Sequence, residues 1–227
     1  YRDEMAVAAD PTAMVAALEA IQETAEHLMR NPNEELQLIA LAARLSEAVG
    51  VTPPLVNLGG GFGLAYFPGD VPLDIRPIGV ALDTAFESLP DILKGSAFAI
   101  ELGRWLVGEA GVYLTRVIDV KISQGETFVI VDGGLHHQLA ASGNFGTVVR
   151  RNYPIALANH FGAPPAADPV TVVGCVCTPI DRLGDRIALP PVQEGDLIAI
   201  FLAGAYGASA SPAAFLGHPS PREVLLG

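Results

Sequence analysis

Cysteine and lysine are both scarce in this chain, two of each: Cys175, Cys177, Lys94 and Lys121. The cysteines lie one residue apart, which excludes an ordinary disulfide framework and fits a reducing compartment. With no histidine beside them in sequence they make a poor zinc pair, so no metal is expected. No apolar run reaches the roughly 18 residues that span a bilayer. The opening residues Tyr1 to Met5 resemble no signal peptide, so a soluble, cytoplasmic chain with no membrane partner is expected. Basic residues are few: 13 Lys and Arg against 25 acids leave a net charge of −12. That balance excludes a general nucleic-acid surface, since polyanions bind basic faces. Internal repeats and low-complexity tracts are missing, as are a Gly-Lys-Ser/Thr phosphate loop and a spaced G-x-G-x-x-G.

What is present is a chain of 227 residues, half of them hydrophobic, enough for a substantial core in one or two domains. Its 24 glycines and 18 prolines are spread out, which means many turns and not disorder. A helix is predicted from the Asp10-Pro11 cap through Met14, Leu18, Ile21 and Leu28. A second follows Asn31-Pro32-Asn33, with apolar residues at Leu36, Ile39, Ala40, Ala43 and Leu45, and ends by Gly50. A short strand over 55–58 opens into Gly59-Gly60-Gly61-Phe62-Gly63, and a Pro/Gly-rich loop covers 64–75. A helix over 76–92 and a strand over 97–100 then lead into Glu101, Gly103 and Arg104. This order is the α/β alternation of a parallel sheet or barrel, in which binding groups gather at strand carboxyl ends. From residue 112 the pattern becomes strand-like over 112–121, 127–131, 170–173 and 197–201. Turn signals at 123–125, 132–134 and 194–196 separate these runs, which predicts an antiparallel β domain.

Several pieces suit chemistry, each with a plain structural alternative. Arg104 offers a planar fork for phosphate oxygens and Glu101 a carboxylate for a cationic ring, or the two form an i,i+3 pair at a helix start. The glycine run is an anion cradle or a tight turn. Cys177 and Asp181 face a ligand from one loop, or are buried filler and a turn residue. Tyr206 presents a phenol to an anion or caps a corner. His136-His137 read mostly as surface residues, and Arg150-Arg151 as a solvated pair or a carboxylate clamp.

Taken in order, Gly59-Gly60-Gly61-Phe62-Gly63, Glu101-x-Gly-Arg104, Asp132-Gly-Gly, Cys177-x-x-x-Asp181, Gly-Ala-Tyr206-Gly and Phe215 resemble the fold-type III pyridoxal-phosphate decarboxylases, the ornithine, diaminopimelate and arginine group. The runs 101–111, 132–137 and 141–146 look most similar to the decarboxylase-like branch associated with exosortase and exopolysaccharide gene clusters. The resemblance implies α/β plus all-β architecture: part of a (β/α)8 alanine-racemase-like barrel over 1–111, then a C-terminal β-sandwich over 112–227, with 204–218 returning to the active site. It also implies a homodimer with shared active sites acting on a small amino-acid-like substrate. Position by position, Gly59, Gly60, Gly61, Gly103, Arg104 and Tyr206 would bind the cofactor and Glu101 would pair with its pyridinium nitrogen. Cys177 would come from the partner subunit as proton donor, with Thr178, Asp181 and Phe215 meeting substrate.

Three departures matter. Leu102 replaces the proline usual in the Glu-x-Gly-Arg motif, and Thr178 stands where amine-selective members carry an acid. The family's cofactor-bearing lysine belongs to an early barrel strand, and neither Lys94 nor Lys121 sits in a matching motif. A fragment, or the ordered part of a longer protein, is therefore expected, with apolar helix faces exposed where a partner segment would lie. Within enzymes the alternative is a related racemase. Outside them it is a cofactor-binding but inactive homologue.

Overall fold

The computed structural model describes residues 11–28, 34–67, 69–143 and 151–227. The chain divides into two compact units. The first runs up to Gly61 and resumes over Leu73–Leu102, and the second comprises Phe62–Pro72 and Gly103–Gly227. The division falls at Leu102/Gly103, nine residues ahead of the change in residue pattern at 111/112, and it assigns the loop after the glycine run to the second unit. Ion pairing explains that assignment. Arg151 meets Asp70 at 3.1 Å and stacks 4.0 Å over the Phe67 ring. Its sequence neighbour Arg150 lies outside the described residues.

In the first unit, α1 (Pro11–Leu28) and α2 (Glu34–Val49) form as their 3.6-residue periods predict. Arg44 ties them together, donating to the Ala20 carbonyl at 3.2 Å and pairing with Glu23 at 2.8 Å. Ile39, Ala43, Val56, Leu58, Leu82 and Leu93 make the core. Leu18 and Ile21, part of the expected apolar stripe of α1, stay exposed. β1 (Leu55–Asn57) and β2 (Ala97–Ala99) pair in parallel, so both deliver the chain to the same end of the pair. The intervening helix α3 (Arg76–Glu87) stops short of the predicted residue 92. Pro90 restricts the residue before it to extended backbone, and a single 3₁₀ turn over Asp91–Leu93 follows. No described helix is long and apolar enough to cross a membrane.

The longer segment of the second unit opens with a short helix, α4 (Gly103–Val107). Its sheet has β3 (Tyr113–Ser123), β4 (Glu126–Val131), β5 (Ile155–Leu157), β6 (Val170–Val173), β7 (Arg182–Ile187) and β8 (Leu197–Ile200), in the order β5-β8-β3-β4-β6-β7. The expected purely antiparallel sandwich is corrected here: β4 and β6 pair in parallel, so this is one mixed sheet. β3 pairs with β8 through its first half and with β4 through its second, changing register at Val117–Asp119. Such a bulge bends the strand and lets the sheet curl. The sheet nearly closes, because the Asn152 side chain beside β5 bonds both backbone groups of Asp185 on β7, at 2.7 and 2.8 Å. Val117, Val129, Val172, Leu183, Ile198 and Ile200 fill the interior.

The Ser123-Gln124-Gly125 signal closes the β3–β4 hairpin, with positive φ at Gln124 (53°) and Gly125 (82°). That is a type I′ geometry, which favours Asn over Gln at its first central position. Gln124→Asn is expected to stabilise the protein by a few tenths to about 1 kcal/mol, since a non-glycine left-handed residue costs roughly 1–2 kcal/mol. The urea midpoint should rise with an unchanged slope.

Candidate active site

The parallel pair of the first unit positions one cluster. Leu58 and Glu101 extend the pairing beyond the strands, donating to the Ala99 and Gly59 carbonyls at 2.9 and 2.6 Å. Gly59 and Gly61 take φ of 77° and 88°, and a side chain at Gly60 would overlap the Glu101 carbonyl. The run is thus both a turn that needs glycine and a backbone free of side chains. Asn57 fixes its neighbours: its amide donates to Glu101 Oε1 at 2.6 Å and its carbonyl oxygen accepts from Gly59 N–H at 2.8 Å. Gly59, Gly60, Gly61 and Glu101 are therefore brought together, with Glu101 exposed and oriented by a neutral partner.

In the second unit, Arg104 lies near two aromatic faces, 5.3 Å from the Tyr66 centroid and 4.9 Å from that of Tyr206. Close backbone approach makes this possible. Side chains at Gly111 or Gly204 would collide with the opposing chain, while Gly204 N–H bonds the Gly108 carbonyl at 3.1 Å. Tyr206 itself holds a left-handed φ of 55°, an unusual conformation for a residue with Cβ. Tyr66 is buried and stacks on Tyr153 with centroids 5.0 Å apart. Burial pushes the Tyr153 phenol up to about 12 and raises that of Tyr66, while the Arg104 charge pulls both down. No described carboxylate of this unit lies within ion-pair reach of Arg104. A guanidinium held by aromatic faces with no described acid of its unit in reach is suited to an anionic ligand. Tyr66 and Tyr153 escape the sequence reading, because nothing in their local patterns links them to Arg104.

A third arrangement surrounds the loop after β6. Asp181 is buried, and both its oxygens are engaged: Oδ1 accepts from Leu135 N–H at 2.6 Å and Oδ2 from Val176 N–H at 2.9 Å. Its carboxyl is raised, burial outweighing those two donors. Asp181 thus clips its own loop to the turn at 133–135 and does not point outward as a substrate contact would. Cys177, between the clipped ends, is exposed, and Thr178 is half-buried with its N–H on the Val176 carbonyl at 2.8 Å. Phe215, on a separate segment, is 39% exposed.

The histidines depart most from expectation. His136 is not a surface residue but wholly buried, with neither ring nitrogen hydrogen-bonded. Burial, then the neighbouring His137 and His218, pushes its pKa down to about 4. His137 is held from both sides, by the Tyr113 hydroxyl at 3.1 Å and the Pro219 carbonyl at 2.8 Å. Gln138, also missed from sequence, is buried with an unbonded side-chain amide. Lys94 pairs with Asp91 at 2.5 Å, and Lys121 is an exposed residue of β3.

Comparison with known proteins adds a family to this geometry. A model of the pyridoxal-dependent decarboxylase C-terminal sheet domain matches residues 7–204. L-glutamyl-[BtrI acyl-carrier protein] decarboxylase of Niallia circulans is 40% identical over 190 residues, covering 82% of this chain and 44% of that protein. Diaminopimelate decarboxylase of Methanothermobacter thermautotrophicus is 33% identical over 193 residues, covering 83% and 43%. Among solved structures, diaminopimelate decarboxylase of Helicobacter pylori complexed with L-lysine superposes with a TM-score of 0.63 at 25% identity, covering 81% of this chain and 44% of that one. The chain spans less than half the length of these relatives.

Proposed function

Because this chain belongs to the pyridoxal-dependent decarboxylase family, whose C-terminal sheet domain it carries, we propose that it serves pyridoxal 5'-phosphate-dependent decarboxylation of an amino acid or amino-acid-like substrate. The observation that carries this reading is Arg104, set against Tyr66 and Tyr206 with no described acid of its unit to neutralise it. Each unit offers groups suited to the cofactor: in the second, a guanidinium with no described acid of its unit in reach, for a phosphate; in the first, a glycine run that tolerates no side chain at Gly60 and an exposed carboxylate held by Asn57.

Arg104 and Tyr206 would bind phosphate oxygens, and Gly59 to Gly61 and Gly103 would offer backbone unshielded by side chains. Glu101 would keep the ring nitrogen protonated. When bound, pyridoxal phosphate supplies an electron sink for the charge left at Cα as CO₂ departs. Cys177, exposed on a loop that Asp181 clips at both ends, would return a proton to Cα. Asp181 is a positioning residue in this scheme. Thr178 offers no charge to a distal ammonium, which argues against a simple diamine-forming substrate. The relative named for a carrier-bound glutamyl substrate makes carrier-bound amino acids a class to assay beside free ones. Neither Lys94 nor Lys121 is assigned the covalent attachment. The barrel architecture, a homodimer with shared sites, Phe215 as a pocket-closing residue and a cytoplasmic location complete the reading.

Both curated relatives are named as decarboxylases, which favours this reading over a racemase. The test supplies the protein with pyridoxal phosphate and scores CO₂ release against loss of chirality, for free and carrier-bound amino acids. Cys177→Ala is expected to keep cofactor affinity while slowing turnover roughly 10²–10⁴-fold, the usual worth of a placed proton donor. Unchanged turnover and product would remove Cys177 from the mechanism. Chirality loss without CO₂ would establish the racemase, and saturable binding without turnover the inactive homologue.

A further inference from the structure

We propose that His136, Cys175 and His218 form a zinc site, distinct from the residues assigned to the cofactor. Their donor atoms all lie within 4.8 Å of one another, and Cys175 Sγ stands 3.9 Å from His218 Nδ1. The strongest pointer is His136. A fully buried imidazole with neither nitrogen bonded is unfavourable unless something takes its lone pair. Gln138 has an unbonded buried amide too, but an amide is not a usual zinc donor, whereas His136 is grouped with a thiol and a second imidazole.

The three ligands come from three segments that other bonds already hold in place. The turn bearing His136 is fixed by Leu135 N–H on Asp181 and by His137 on Pro219. The loop bearing Cys175 is fixed by Cys175 N–H on the Gly133 carbonyl at 3.0 Å and Val176 N–H on Asp181. The segment bearing His218 is fixed by the Ser211 hydroxyl accepting from Leu139 N–H at 2.9 Å. The set is thereby assembled without the ion. Two imidazoles and a thiolate are the donors Zn(II) takes, at about 2.0–2.1 Å for nitrogen and 2.3 Å for sulfur. Tetrahedral bonds of that length put two nitrogens about 3.3 Å apart and a nitrogen and the sulfur about 3.6 Å apart, so shifts of roughly an ångström close the set.

On binding, the Cys175 thiol gives up the proton that now points at the Asp132 carbonyl, 3.4 Å away, and releases it to solvent. The fourth position is left to water. The ion would bind the 132–138 turn, the 174–181 loop and the 211–219 segment to one point, and so hold Cys177, two residues beyond Cys175. The sequence reading dismissed zinc because no histidine lies near the cysteines in the chain. Folding brings one from each side.

The test titrates the intact, reduced and chelator-stripped chain with Zn(II) against a chromophoric chelator, and separately with Co(II) under argon. One ion per chain is expected, with a thiolate-to-cobalt charge-transfer band and intense tetrahedral visible absorption. Cys175→Ser should abolish the band, and His218→Ala should weaken Zn(II) binding by at least the roughly 10–100-fold that losing even an outer-shell partner costs. Cys177→Ser should retain both. His218 and Cys175 are only partly buried, so these variants should keep the metal-free protein's thermal midpoint, which circular dichroism checks. Failure to bind one equivalent, binding indifferent to Cys175→Ser, or a band that disappears with Cys177 would overturn the assignment. None of these readouts depends on pyridoxal phosphate or on turnover.

Discussion

Asp181→Ala is expected to lower the unfolding free energy by about 2–6 kcal/mol, because it leaves two buried backbone donors without an acceptor, each costing about 1–3 kcal/mol. Those donors are Leu135 and Val176 N–H, and Asp181 also returns its carbonyl to Gly174 N–H at 2.9 Å, closing the loop on itself. Asp181→Asn keeps one acceptor and should cost about half as much. Urea unfolding at neutral pH measures both, and an alanine variant within about 0.5 kcal/mol of the parent would show that the clip is dispensable. The carboxyl adds a pH signature. Burial raises its folded pKa above the unfolded value near 3.9. Its contribution is therefore full below that value and declines as pH rises through the folded pKa. The gap between parent and Asp181→Asn should narrow over the same interval.

This residue also shows what can be read from a chain and what cannot. The spacing of Cys177 and Asp181 places them on one loop, but spacing does not distinguish an acid aimed at a ligand from one aimed at its own backbone. Only the positions of Leu135 and Val176 make that distinction. Local periodicity carried α1, α2 and the β3–β4 hairpin, since each is determined within its own residues. β7 was invisible because Arg182, Gly184, Asp185 and Arg186 interrupt any apolar alternation, and its burial depends on Leu183 alone among its large residues being fully covered. The parallel β4–β6 pair was read as antiparallel because no helix was predicted between them to signal a crossover. His136 is the same case in side-chain form: adjacent histidines look solvated until three segments close over one of them.

Arg104→Ala is the change expected to weaken pyridoxal phosphate most. A charge-assisted hydrogen bond contributes about 1.5–3 kcal/mol, so saturable binding measured by equilibrium dialysis should weaken roughly 10–150-fold. Arg104→Lys should fall between, since an ammonium keeps the charge but loses the planar fork and the stacking on Tyr66 and Tyr206. The prediction has a second readout that needs no cofactor. Arg104 pulls down the pKa of Tyr66 and Tyr153 against their burial, so removing it should move their ultraviolet tyrosinate titration to higher pH. A titration that shifts while cofactor affinity stays unchanged would mean that Arg104 sits as drawn but serves another anion. An unchanged titration would mean that the guanidinium does not sit near Tyr66 and Tyr153 at all. Both effects together would tie the aromatic pair, the guanidinium and the phosphate into one binding unit, whose geometry begins with the close passage of Gly111 and Gly204.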